Sequence, residues 1–225
     1  MDEPTLQAQI DAENAYVALF VPALFVQWAP KVADAAQIQP GQRVLDVACG
    51  TGILAREVTS RIGSEGRVVG IDPSPGMLAV AKQLAPAVEW REGLAESLPF
   101  PDQSFEAVVS QFALMFFTDR REALREMLRV LTPGGRIAVA VRDSLENIPA
   151  YASEVALLER IAGQQAADAL RAPFVLGNRK DLAALFLEAG VAAADITTHQ
   201  GTAQFPSIRT MVEADLRGWL PVMGV

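Results

Sequence analysis

The sequence has one cysteine, Cys49, and one histidine, His199, in 225 residues. A lone cysteine excludes an intrachain disulfide and any cysteine-rich zinc site. A lone histidine leaves a single side chain that titrates near neutral pH without perturbation. Positive charge is scarce as well: 19 Lys and Arg stand against 27 Asp and Glu, a formal net charge of −8. Such a field repels polyanions, so nucleic acid and anionic membrane surfaces are disfavoured and small molecules favoured as partners. Long apolar runs are missing. The longest uncharged one near the N-terminus, Ala15 to Val26, has 12 residues and contains Pro22, short of the roughly 18 needed to span a bilayer. Acids stand at the N-terminus where a secretory signal carries Lys or Arg. The expectation is a soluble, cytoplasmic protein with no membrane span.

What is present is apolar bulk. At 51% hydrophobic residues the chain can bury a sizeable core, as one large domain or one domain with an insertion. Short β-branched runs bounded by glycine, Arg43 to Ala48 and Arg67 to Ile71, read as strands, as do Val88 to Arg91, Phe105 to Phe112 and Arg136 to Val141. Helices lie between them. Ser74 is an N-cap candidate followed by Pro75 at the first helical position, and Asp119 caps a second helix with a Leu124, Met127, Leu128 stripe. Thr132-Pro-Gly-Gly135 stops that helix. The alternation implies right-handed βαβ units and a doubly wound, mostly parallel, Rossmann-like α/β sheet with helices on both faces. Four segments follow: an aromatic-rich helical region over 1–40, the α/β core over 41–143, a helical insertion after the fifth strand over 144–190, and a late strand (Ala192 to His199) with a C-terminal helical stretch over 191–225.

The informative loop is Val44-Leu-Asp-Val-Ala-Cys-Gly-Thr-Gly52, with Gly50-x-Gly52-x-x-Ala55 between a strand and a helix. Alone that pattern is a weak dinucleotide fingerprint. Asp46 alters its meaning. A carboxylate four residues before Gly50 opposes a pyrophosphate on the following helix N-terminus and suits an ammonium or sulfonium, while the glycines let backbone approach a ligand closely. Asp72 ends the second strand, 20 residues past Gly52, where an acid accepts hydrogen bonds from ribose hydroxyls. A cationic amino-acid end plus a ribose describes S-adenosylmethionine, with S-adenosylhomocysteine as product.

Three further stretches, Gly70-Ile-Asp-Pro-Ser-Pro-Gly-Met-Leu78, Leu98-Pro-Phe-Pro-Asp-Gln-Ser-Phe105 and Arg125-Glu-Met-Leu-Arg-Val-Leu-Thr-Pro-Gly-Gly-Arg136, follow in order. With the glycine loop they make residues 38–141 resemble the class I S-adenosylmethionine-dependent methyltransferases, in the branch similar to ubiquinone/menaquinone-biosynthesis methyltransferases. The resemblance implies that Asp46, Ala48, Gly50, Thr51 and Gly52 surround the methionine part of the cofactor and that Asp72, next to Pro73, takes the ribose. It implies Met77 against the adenine, Gly93, Leu94 and Ala95 along the adenine edge, and Ser110 and Gln111 closing over the methionine end. It makes the N-terminal segment a lid, with Tyr16, Phe20 and Trp28 as possible contacts. One departure stands out: relatives carry an acid after the glycine where this chain has Gly93-Leu94, so weaker cofactor binding is expected. Relatives also finish with an extra helix and an antiparallel edge strand. This sequence stops at Leu220-Pro-Val-Met-Gly-Val225, so the C-terminal strand is expected to be missing, leaving an edge open to pairing in a homodimer.

Other roles for these residues stay open. Asp46 can cap its own loop, Cys49 is a small spacer sooner than a nucleophile, and Met77 can be core filler. Tyr16, Phe20 and Trp28 can simply pack on the sheet. His199, Arg142 and Asp143 are candidate catalytic residues, although the last two can equally form a surface pair. No metal-ligand spacing is visible. The implied activity is methyl transfer to O, N or C of a small apolar or aromatic acceptor, with specificity in residues 1–40 and 144–190. A non-catalytic cofactor-binding or regulatory protein and an NAD-dependent oxidoreductase are the competing readings.

Overall fold

A computed structural model describes residues 5–220. Five strands form one parallel sheet: β1 (Arg43–Val47), β2 (Arg67–Asp72), β3 (Glu89–Glu92), β4 (Phe105–Gln111) and β5 (Leu131–Ala140), in the order β3-β2-β1-β4-β5. The order reverses between β1 and β4, and at such a switch point the loops leaving the carboxyl ends diverge and open a crevice.

The central strands are apolar on both sides because both sides are covered. Val44 of β1 faces a cluster with Ala33, Leu54, Val58 and Leu78, supplied by helices α2 (Ala29–Ala35), α3 (Ile53–Ile62) and α4 (Pro75–Leu84). Leu45 and Val47 face the opposite cluster with Leu124, Met127, Leu182 and Phe186, supplied by α5 (Arg120–Arg129) and α8 (Arg179–Glu188). The helix starts are where the sequence puts them: Ser74 accepts from the Met77 N–H at 3.2 Å and Asp119 from the Glu122 N–H at 2.9 Å.

The flanks differ more from expectation. Helix α1 (Leu6–Phe20) runs into a π-helical turn, Val21–Phe25, that absorbs Pro22. The segment 144–190 divides: α6 (Pro149–Ala162) and α7 (Gln164–Arg171) pack with each other around Tyr151, Leu170 and Phe174, whereas α8 returns to the sheet. Thr132 to Gly135 do not end before the fifth strand but form an irregularity inside it, between the Phe105–Leu131 and Ala107–Arg136 pairings. Residues 192–199 carry no regular structure, so the late strand holding His199 is corrected to an irregular segment. That stretch has two alternating apolar contacts, Ala194 and Ile196, against the sheet cluster, but no strand pairs with it. The helical stretch beyond is α9 (Ile208–Ala214) and a π-helical turn, Asp215–Trp219. The end of the Leu220-to-Val225 stretch, residues 221–225, lies outside the described residues. Among those residues no single helix is long and apolar enough to cross a membrane.

Candidate cofactor and acceptor site

The carboxyl ends of β1, β2 and β4 border a cavity of about 920 Å³. At its centre the loop after β1 turns through three left-handed residues, Ala48 (φ +54°), Gly50 (φ +54°) and Gly52 (φ +79°). For Ala48 that conformation costs about 1–2 kcal/mol, an expense concentrated, as is common, beside a ligand site. Asp72 holds the loop: one carboxylate oxygen accepts from the Gly50 N–H at 2.8 Å, the other from the Ser74 N–H at 2.9 Å. Asp46 is 1% exposed, interacts with the Ala55 backbone N–H, and so does cap its loop in part. Its Oδ2, like the Thr51 Oγ1, is buried with no partner in the protein.

Three acids crowd this end. Burial pushes the Asp46 carboxyl up to about 8, with Asp72 raising it further against the Ala55 N–H. Burial also raises Asp72. Glu13, on the inner side of α1, is pushed up to about 7 by burial and then by Asp72. Such a cluster is hostile to a diphosphate and favours a cation. Pro73, Met77, Gly93, Leu94 and Ala95 continue the wall, with Leu94 55% exposed at the rim. The loop carrying them is pinned by Arg129, which donates to the Leu98 and Phe100 carbonyls at 3.0 and 2.9 Å and to Asp102. Two of the sequence motifs are therefore one physical unit.

The other end is aromatic. Tyr16, Phe20, Leu24 and Phe25 come from the N-terminal segment, Phe112 and Arg142 from the ends of β4 and β5, Tyr151 and Phe174 from the helical insertion, and Asp215 and Trp219 from the last turn. Gln111 ties roof to sheet by donating to the Phe25 carbonyl at 3.1 Å. The roof is held to the C-terminal segment by a reciprocal pair, Gln27 with the Thr202 backbone at 2.6 and 3.1 Å. Tyr16 is half-buried, within electrostatic reach of Glu13, Arg142 and Asp72, and so stands between the two ends.

Residues 45–139 match the methyltransferase domain family. Across that span the chain is a methyltransferase domain. Over 115 residues the chain is 40% identical to a 2-phytyl-1,4-naphtoquinone methyltransferase of Thermosynechococcus vestitus (50% of this chain, 51% of that one). Over 118 residues it is 44% identical to a ubiquinone/menaquinone biosynthesis C-methyltransferase of Xanthomonas campestris (50% and 47%). The chain spans about half the length of the curated relatives it matches. Among solved structures, a SAM-dependent methyltransferase of Thermotoga maritima shares the fold with a TM-score of 0.56 at 23% identity, covering 80% of each chain. The orphaned Asp46 and Thr51 oxygens and the acid cluster fit the ammonium, hydroxyl and sulfonium groups of S-adenosylmethionine; the acid cluster does not fit a diphosphate.

Of the residues singled out in the sequence, the methyltransferase domain brings Asp46, Ala48, Gly50, Thr51, Asp72, Pro73, Met77, Gly93, Leu94, Ala95 and Gln111 to the cavity wall, joined by Tyr16, Phe20 and Arg142. Five others lie off the cavity wall. Gly52 is turned away from the cavity, and a Cβ there would stand 2.3 Å from the Trp90 ring, so its glycine serves packing behind the loop. Ser110 is fully buried within β4. Trp28 lies edge-on to Phe112, with ring centroids 6.0 Å apart, one layer outside the wall. Asp143 caps the following turn through the Ser144 N–H and Asn147. His199 is exposed in the irregular segment. Sequence reasoning missed Glu13, Phe25, Phe112, Tyr151, Phe174, Asp215 and Trp219. Only Phe112, directly after the fourth strand's last residue, carried a positional signal.

Proposed function

We propose that this chain transfers the methyl group of S-adenosylmethionine to a small, flat, largely apolar acceptor of quinol type, the reduced and ionisable form of a quinone. The observation that carries the cofactor half is the pair of partnerless buried oxygens, Asp46 Oδ2 and Thr51 Oγ1, at the wall of a large cavity that Asp72 also lines. When bound, the cofactor supplies an electrophilic methyl group on a cationic sulfur. Asp46 and Thr51 would hold the amino-acid end, Asp72 the ribose hydroxyls, and Met77, Leu94 and Ala95 the adenine by apolar contact. The relatives' names, naphthoquinone and ubiquinone/menaquinone methyltransferases, together with the ring-lined far end, support the acceptor class. Tyr16, Phe20, Phe25 and Trp219 would orient the acceptor and exclude water, and orientation of that kind supplies much of the rate of a displacement reaction.

Calorimetry with S-adenosylhomocysteine on wild type and Asp72→Ala tests the reading. Loss of two hydrogen bonds to a charged acceptor is expected to weaken binding on the order of 100-fold. Equal affinities would remove Asp72 from the ribose site, and no binding to either protein would end the proposal.

A further inference from the structure

The acceptor end holds a cation that no described residue meets with a carboxylate oxygen at ion-pair distance. Arg142 leaves the carboxyl edge of the sheet just after β5 and lines the cavity. Its guanidinium carbon lies 5.5–5.7 Å from the centroids of four rings: Phe25, Phe112, Tyr151 and Phe174. It is the only Lys or Arg side chain on the cavity wall among the described residues. Most other arginines here spend their charge on carboxylates, as in Arg43–Glu106, Arg61–Asp34 and Arg129–Asp102. Among the described residues none places a carboxylate oxygen within 4.0 Å of Arg142.

Ring faces satisfy a cation from above and below, contributing about 0.5–2 kcal/mol. They do nothing for the N–H donors at the rim of the guanidinium plane, which need oxygen. The Tyr151 hydroxyl is the neighbouring oxygen. Asp215 shares the cavity, but its Oδ2 is buried with no partner. Burial first, and Glu154 second, push its carboxyl up to about 7 against the pull of Arg142. At neutral pH it is therefore divided between acid and carboxylate rather than committed to Arg142. A guanidinium ringed by aromatic faces on the wall of this cavity loses water when the cavity fills, a cost that an anion offsets, and the rings around it favour something flat.

We infer that the acceptor is recognised through an ionised oxygen on a planar aromatic ring, seated against the Arg142 fork within the Phe25–Phe112–Tyr151–Phe174 box. This deepens the methyl-transfer reading and rests on it for the meaning of the pocket. The substrate class is thereby an aryl or enol acid, such as a phenolate, enolate or arene carboxylate, rather than a neutral or cationic ring.

The test uses an isosteric pair, 2-naphthoate and 2-naphthamide, titrated calorimetrically at pH 7 into the full chain with and without S-adenosylhomocysteine. Wild type is expected to bind the anion at least tenfold more tightly than the amide. Arg142→Gln is expected to erase that preference, and Arg142→Lys, which keeps the charge and loses the fork, to retain a smaller one. Equal affinity of wild type for the two probes, or a preference that survives Arg142→Gln, overturns the inference. Should Arg142→Gln melt early, the wild-type pair and the Arg142→Lys variant still decide. Absence of S-adenosylhomocysteine binding would strike the cofactor reading alone, because the probe preference is also measured without it.

Discussion

Asp46 makes cofactor affinity depend on pH below neutrality. Burial holds its carboxyl at about 8, so with no ligand only about 1% is ionised at pH 6 and about 9% at pH 7, by the ordinary titration relation. A cationic ligand beside it favours the ionised form and must displace the proton. If the complex keeps Asp46 ionised throughout, affinity for S-adenosylmethionine rises about ninefold between pH 6 and pH 7, about 1.3 kcal/mol, and binding releases close to one proton. The ligand's own amino group, with an ordinary pKa of about 8, stays protonated across that window. Glu13, pushed up to about 7 by burial and by Asp72, steepens the dependence. Calorimetry in two buffers of unlike ionisation enthalpy reads the affinity and the proton count together. Asp46→Asn should flatten the Asp46 share. An affinity constant within twofold from pH 6 to pH 7, or the same slope in Asp46→Asn, refutes the argument.

Four further outcomes are expected. Glu13→Gln should stabilise the fold at pH 8.5 and not at pH 4. A raised acid binds its proton more tightly folded than unfolded, so its favourable contribution is present below about 4.5 and is lost as pH rises through about 7, at most about 3 kcal/mol; thermal melts at the two pH values check this. Gly52→Ala should cost about 2–4 kcal/mol, from its φ of +79° and the Trp90 ring, and Trp90→Leu should recover the steric share in a urea double-mutant cycle. Arg129→Met should cost about 1–3 kcal/mol in urea by leaving the Phe100 carbonyl without its donor and the Leu98 carbonyl with the Phe100 N–H alone. Met127→Ala, at a fully buried position between sheet and α5, should cost about 2–5 kcal/mol while leaving the affinity for S-adenosylhomocysteine within twofold.

The core was legible because its signals are local. Val44, Leu45 and Val47 need only burial on two sides to declare a central parallel strand, and Ser74 and Asp119 announce their helices through hydrogen bonds three residues away. Asp46 and Asp72 were legible because strand ends are fixed by the same logic. Gly52 was misread: a glycine needed for a ligand and one needed for an indole 38 residues on look alike in a sequence. The aromatic end was illegible for a different reason. Phe25, Tyr151, Phe174 and Trp219 come from separate helices with unremarkable patterns, and only tertiary packing brings them around Arg142. The late strand failed because alternation without a partner edge is not enough to make a strand.

The Gln27–Thr202 pairing joins positions 175 apart in the chain, whereas every strand of the sheet is present by residue 140. Closing so long a loop is entropically the last step to be worthwhile. During synthesis the α/β platform can therefore consolidate first, with its crevice uncovered, and the ceiling arrives only when the final stretch emerges to fasten it. A nascent chain halted near residue 190 would be a finished floor without a room.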